Sequence, residues 1–229
     1  MKINILQLLN GARQAKGLTV IIDVFRAFSV SCYAYGKGVE RIYPVGDITE
    51  AYRLKGENPE YVLIGERNEK KPPGFDYGNS PSQLLDADLY GKTMVHTTSS
   101  GTMGIANALQ AGEIITGAFV NAGAIVRYVR ERQPEVLSLV CMGYAGTYQT
   151  EEDTFLAEYV KARLEEKEVD FDGMVEKIRT SSGARFFSPE KQEWAPFTDF
   201  NLCMDLDRFN FVLKVEKESR RNYLRKIDI

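Results

Sequence analysis

The stretch Thr19-Val20-Ile21-Ile22-Asp23-Val24-Phe25-Arg26-Ala27-Phe28-Ser29 decides the fold. Thr19 to Ile22 are β-branched without interruption, so they read as a buried strand. The strand runs into an acid, Asp23, and three residues later into a base, Arg26. From Ala27 the spacing of Val30 and Ala34, with Tyr33, predicts a helix. A buried strand that ends in a polar residue and turns into a helix is the building unit of open α/β sheets, which bind ligands at the carboxyl ends of their strands. Alone, such an Asp and Arg would be a helix cap and its surface partner. What favours a site is that later strands end in the same way.

Outward from this stretch, strands and helices alternate. Ile42 to Val45 reads as a strand, and Ile48 to Leu54 as a helix capped by Asp47, with Glu50 three residues on. Tyr61 to Ile64 is a strand that ends at Gly65-Glu66-Arg67. The long polar loop from Asn68 to Ser80 is of a length that is often functional, and Pro81 looks like a first helical residue capped by Ser80. The strand Thr93 to Thr97 runs into Thr98-Ser99-Ser100-Gly101-Thr102 and then a helix with Ile105, Ala108 and Leu109 on one face. Glu113 to Thr116 is a strand, followed by Asn121 and a helix through Val129. Val136 to Cys141 is a strand that opens into a glycine-rich loop, and a helix covers Glu151 to Leu164. Beyond Asp170 the reading is a short helix from Met174 to Ile178, a turn-rich segment from Ser181 to Trp194, a last strand from Phe209 to Val215, and a charged tail from Glu216 to Ile229. The expectation is an α/β fold with a largely parallel or mixed sheet covered by helices on both faces. No linker divides residues 1–229, so they form a single unit, in one lobe or two.

Bulk properties narrow the function. The 229 residues are 44% hydrophobic with a formal net charge of −3, which supplies a globular core and lacks the basic surface that nucleic acid or an anionic membrane would need. No apolar run approaches the roughly 20 residues of a membrane span, and Met1 to Gly17 lacks the pattern of a signal peptide. The three cysteines, Cys32, Cys141 and Cys203, are far apart and form no C-x-x-C pair, which fits a reducing, cytoplasmic setting. His96 is the only histidine. It ends a strand, so a structural role is expected, and a histidine-rich metal site cannot be built within one chain.

Four strand-end loops carry residues suited to phosphate chemistry: Asp23 with Arg26, Glu66 with Arg67, Thr97 to Thr102, and Glu152 with Asp153. Hydroxyl and amide groups of a Thr/Ser/Gly loop can hold an oxyanion. Arginines offer paired donors to phosphate, carboxylate or sulfonate. Carboxylates suit Mg²⁺, which takes one or two of them with water and substrate oxygens.

The order of these motifs resembles the 2-phosphosulfolactate phosphatase family (ComB-like proteins). The matching pieces are Ile22-Asp23-Val24-Phe25-Arg26-Ala27, Gly65-Glu66-Arg67, Gly74-Phe75-Asp76-Tyr77-Gly78-Asn79-Ser80-Pro81, Thr97-Thr98 with Gly101-Thr102, Asn121-Ala122, Cys141 with Gly143, and Glu152-Asp153. The resemblance implies a Mg²⁺-dependent phosphatase that converts 2-phospho-3-sulfolactate to 3-sulfolactate on the route to coenzyme M, in an α/β fold particular to the family. The chain departs from the family pattern at Ser100, where an Asn is usual.

The mechanism expected is in-line attack by a metal-activated water. Phe25 stands where a D-x-D phosphatase needs its second acid, and no cysteine is followed six residues later by an arginine. Asp23 and Asp153 are the expected Mg²⁺ ligands, with Glu66 as third ligand or general base. Arg26 and Arg67 would neutralise the anionic substrate. Thr97, Thr98, Ser99, Ser100 and Gly101 would cradle one oxyanion, and Asn79, Ser80 and Asn121 would position another, with helix capping the competing role for the last three. A homodimer is the expected assembly. The alternatives are the same chemistry on another phosphorylated 2-hydroxy acid, or a non-catalytic module for an anionic metabolite. The second would gain nothing from carboxylates beside its anion.

Overall fold

Thr19 to Ile22 lie in a strand in the computed structural model, which describes residues 1–219 and 221–229. In chain order the elements are β1 (Lys2–Gln7), α1 (Leu8–Gln14), β2 (Gly17–Ile22), α2 (Ala27–Gly36), β3 (Arg41–Pro44), α3 (Ile48–Glu57), β4 (Val62–Gly65), β5 (Tyr77–Gly78) and β6 (Thr93–Thr97). They continue as α4 (Gly101–Asn107), β7 (Ala111–Gly117), α5 (Ala122–Arg132), β8 (Val136–Cys141), α6 (Glu151–Leu164), α7 (Phe171–Thr180), α8 (Phe197–Cys203), β9 (Phe211–Glu218) and β10 (Arg221–Asp228).

Among the described residues, ten strands join one sheet in the order β1-β8-β2-β7-β9-β10-β3-β6-β4-β5. The first four run parallel to one another, and so do the last four. Between these halves sits the antiparallel hairpin β9–β10, paired with β7 on one side and β3 on the other. The sheet is therefore mixed. It also curls. Asp23 follows β2, and Gly101 follows β6 with four strands between, yet a Cβ on Gly101 would lie 2.8 Å from Asp23 Oδ2. Flat strands spaced about 4.8 Å apart would hold β2 and β6 about 24 Å from each other.

The core follows from the two-residue period of the strands. Ile21 and Val140 face the concave interior with Ile42, Ile64 and Met94 of the other half and Leu213 and Leu224 of the hairpin. Their neighbours Val20, Ile22, Leu139 and Cys141 face outward against α5 and α6. Leu63 and Val95 pack outward against Ala51 and Leu54 of α3. Helix α2 fills the concavity. Every residue from Ala27 to Tyr35 is buried, which is why this helix is apolar on all sides.

Several boundaries differ from the sequence reading. Lys2–Gln7 and Leu8–Gln14 form a strand and a helix in a segment to which the sequence reading assigns no element. Pro81 opens a short 3₁₀ turn, and Ser80 makes no side-chain cap to it. Asp47 does cap α3, accepting from Thr49 N at 2.9 Å, but Glu50 bonds Arg53 rather than closing a capping box. Helix α8 arises in a stretch left without structure. The expected tail holds the end of β9 and strand β10, in which Leu224 is buried and Tyr223 and Ile227 are half-buried among the charges.

Candidate active site

Four strands end at one cleft, two from each parallel half of the sheet. Asp23 follows β2, Glu66 follows β4, Thr98 to Ser100 follow β6, and Gly143 to Ala145 follow β8; all line its wall with Asn68, Glu69 and Asn79. Phe25, Arg26 and Arg185 complete it. The cleft is small, about 100 Å³, and open to solvent at its mouth. Two strands come from each half of the sheet, so the curl is what assembles the site.

Each loop is held by side-chain to backbone bonds. Asp23 Oδ1 accepts from Ala27 N at 3.1 Å, which starts α2. Glu66 Oε1 accepts from Ser99 N at 2.6 Å, tying the β4 loop to the β6 loop, and Oε2 accepts from Glu69 N at 2.9 Å. Ser100 Oγ donates to Gly143 O at 2.7 Å, tying β6 to β8. Asp153 lies behind the wall, accepting from Val24 N at 2.9 Å and Gly143 N at 2.7 Å. Gly65 is required where it stands, because φ is +146° and a Cβ would fall 1.9 Å from Thr97 O.

The electrostatics are those of crowded, dry acids. Burial pushes Asp23 up to about 7, with Glu152 and Glu66 adding repulsion against the hydrogen bonds that lower it. Burial also raises Asp153, helped by Glu152 and Asp23. Glu152 is raised by burial, against the pull of Arg185, and its Oε2 is buried without a hydrogen-bond partner. Desolvated acids that repel one another are what a cation would relieve. Asp23 and Glu66 offer oxygen donors in the cleft wall, a set that suits Mg²⁺. Among the described residues, no three His, Cys, Asp or Glu side chains could enclose a metal ion by themselves, so water and substrate oxygens would complete the shell.

The expected residues separate into two groups. Asp23, Glu66, Arg26, Asn79, Thr98, Ser99 and Ser100 reach the cleft. The others stand outside its wall. Arg67 donates to Glu66 O, Gly46 O and Thr97 Oγ1 and so braces the loop from outside. Thr97 accepts that bond, and Gly101 abuts Asp23. Ser80 donates to Asp199 Oδ1 at 2.9 Å. Asn121 accepts from Ala118 N and donates to Phe211 O, a structural role at the start of α5. Arg26 pairs with neither Asp23 nor open solvent: its Nη1 meets Asp199 Oδ2 at 2.6 Å and Trp194 O at 2.7 Å. The Thr/Ser loop has one amide fewer for an oxyanion than expected, because the Ser99 amide is engaged by Glu66.

Sequence reasoning missed Arg185, Glu69, Phe25 and Tyr144, all of which line the cleft. Arg185 and Glu69 are charged, but each lies in a loop or turn-rich segment whose path the chain does not announce. His96 is buried between Ser31 Oγ at 3.1 Å and Asn79 Oδ1 at 3.3 Å, a structural place, as expected. The three cysteines are buried, and burial pushes each thiol up, away from the thiolate that a covalent mechanism needs.

Residues 3–218 match the family model described as 2-phosphosulpholactate phosphatase. The chain belongs to this family. Similar proteins include probable 2-phosphosulfolactate phosphatases of Thermoplasma volcanium, 32% identical over 85% of this chain and 87% of the relative, and of Thermoplasma acidophilum, 34% identical over 85% and 84%. That of Bacillus subtilis is 30% identical over 88% of each chain. Asp23 and Glu66, the acids of two motifs that carry the resemblance, both line the cleft. Among the described residues, no helix is long and apolar enough to cross a membrane.

Proposed function

We propose that the protein is a Mg²⁺-dependent phosphatase that hydrolyses 2-phospho-3-sulfolactate to 3-sulfolactate and phosphate, on the route to coenzyme M. The observation that carries the reading is the family match together with a cleft whose floor is acidic and whose wall bears arginine. A binding module for a free anion would place Asp23 and Glu66 against its own ligand. A phosphatase uses them through a cation.

Asp23 and Glu66 would hold Mg²⁺ in the cleft. Bound there, the ion would supply positive charge to the phosphoryl oxygens and to an attacking water. Asp153 is left out of this set because it does not line the cleft; held behind the wall by the Val24 and Gly143 amides, its part is to place Asp23's loop against the β8 loop. Glu66 keeps the Ser99 backbone turned toward the cleft. Thr98, Ser99 and Ser100 form the wall that fixes the substrate's orientation, and Asn79 presents an amide to it.

The test is phosphate release from 2-phospho-3-sulfolactate by the purified protein, with Mg²⁺ and with excess chelator. Turnover that requires Mg²⁺ and falls at least 100-fold in Asp23→Asn is expected. Full turnover after confirmed metal removal would refute the metal dependence, and no turnover with Mg²⁺ would refute the substrate.

A further inference from the structure

Two arginines line the cleft, and they differ in what already holds them. Arg26 has its charge matched by the buried carboxylate of Asp199, at 2.6 Å, and its side chain is 5% exposed. Arg185 is more open, at 17%, and its partners are weaker: Glu69 Oε1 at 3.4 Å from Nη1 and Phe25 O at 3.3 Å from Nη2. A guanidinium has five N–H donors, and these two long contacts leave donors for a ligand. Its plane is fixed by aromatic neighbours. The Arg185 Cζ lies 5.1 Å from the Phe186 ring centroid and 5.7 Å from those of Phe25 and Tyr144. A rotamer held on ring faces loses little entropy when it meets an anion.

The substrate assigned above has three anionic groups. The phosphoryl group belongs with Asp23, Glu66 and the ion they would hold. The carboxylate and sulfonate then need a cation of their own, and the Asp23–Glu66 floor repels both. Building on that assignment, we propose that Arg185 is the specificity residue that binds the acid groups not transferred, the sulfonate or the carboxylate, by paired N–H donors, with Glu69 as its resting partner that the substrate displaces. Phe25 and Tyr144 exclude water from this contact, which strengthens it.

The test compares three esters on wild type, Arg185→Gln, Arg185→Lys and Glu69→Gln: 2-phospho-3-sulfolactate, phospholactate (which lacks the sulfonate) and p-nitrophenyl phosphate (which lacks both acids). Arg185→Gln is expected to lose more than 100-fold in kcat/KM on phosphosulfolactate, chiefly through KM, and at least tenfold less than that on p-nitrophenyl phosphate. Phospholactate following phosphosulfolactate assigns the contact to the carboxylate; following p-nitrophenyl phosphate, to the sulfonate. Arg185→Lys should recover part of the loss, and Glu69→Gln should lower KM for phosphosulfolactate severalfold by freeing Arg185. Equal losses on all three esters, or losses under threefold on all, would overturn the proposal. Should the wild type hydrolyse none of them, the phosphatase reading fails by itself. Calorimetric binding of 3-sulfolactate then decides this one, with at least tenfold weaker binding by Arg185→Gln in its favour and equal binding against it. Thermal melts of each variant keep a folding defect distinct from a lost contact.

Discussion

Arg26 and Asp199 lie 173 residues apart in sequence and 2.6 Å apart in the fold, with side chains 5% and 0% exposed. Asp199 also accepts from Ser80 Oγ at 2.9 Å and Ser82 N at 3.0 Å, so one carboxylate joins α8, the turn after Asn79 and the loop after β2. Removing either partner leaves a buried charge alone, which costs about 3–5 kcal/mol. Arg26→Ala and Asp199→Ala should each lower unfolding free energy by about that much in urea titrations. An Arg26→Met/Asp199→Leu double variant should lose less than the sum. Sequence alone makes Arg26 a substrate ligand whose loss spares stability; if Arg26→Ala stays within about 1 kcal/mol of wild type, that simpler role is right and the pair is incidental.

Gly101 sits against the acid it supports. A Cβ there would stand 2.8 Å from Asp23 Oδ2 and 2.9 Å from the Ala27 Cβ, closer than real contacts allow. Gly101→Ala should push Asp23 aside and reduce kcat at least tenfold, with a stability loss of about 1–3 kcal/mol from overpacking. Wild-type kcat in a folded Gly101→Ala protein would remove Asp23 from the chemistry.

Asp153 accepts two backbone amides with one charge. An asparagine can accept one of them but turns an N–H toward the other. Asp153→Asn should cost about 2–3 kcal/mol, as expected for one buried donor left unpaired beside a lost charge-assisted bond, and should loosen the Gly143 loop. Hydrogen exchange at the Val24 and Gly143 amides would register this directly; unchanged protection at both would contradict it.

His96 gives the protein an acid sensitivity of known sign. Burial pushes its pKa from 6.5 down to about 3. Between those values the unfolded chain holds a proton on His96 and the folded one does not. Its contribution is therefore complete above pH 6.5 and declines as pH falls, by up to about 1.4 kcal/mol per pH unit. Asp23 acts in the opposite direction, because its raised pKa favours the folded state more as pH falls from about 7 toward 3.8. The useful quantity is the difference between wild type and His96→Asn. Denaturant midpoints measured from pH 7 to pH 5 should fall more steeply in wild type, and parallel slopes would show that His96 titrates normally.

The β-α alternation was legible because strands such as β2, β4 and β8 are short apolar runs set between helical or polar stretches. The sites at Asp23 and Glu66 were legible for the same reason: polar residues at such strand ends stand out against apolar runs. The curl was not, since nothing local in Ile22 or Thr97 states that their strands, far apart in one sheet, meet at their ends. Arg67 and Ser80 were placed at the site by sequence proximity to it. Tertiary bonds to Thr97 and Asp199 turned their side chains elsewhere. Strand β10 was hidden by its charges. Lys226 and Arg225 are long enough to reach solvent from a central strand, so composition reported the tips of the side chains and not the backbone beneath.

The β9–β10 hairpin has a consequence for how the protein is made. It comes after every other strand in the chain, yet it is the one connection in the sheet between the half that carries Asp23 and the half that carries Glu66. While the ribosome still holds residues 211–228, both halves are already in the cell and neither can close its inner edge. During that interval β7 and β3 present unpaired edges that could recruit a neighbouring chain. The acids of the cleft, drawn from opposite halves, meet only when synthesis has passed β10. Ribosome-bound chains stalled before Phe211 should therefore be readily proteolysed at α2, whereas chains released past Asp228 should resist; early protection of α2 would show that the halves find each other without the hairpin.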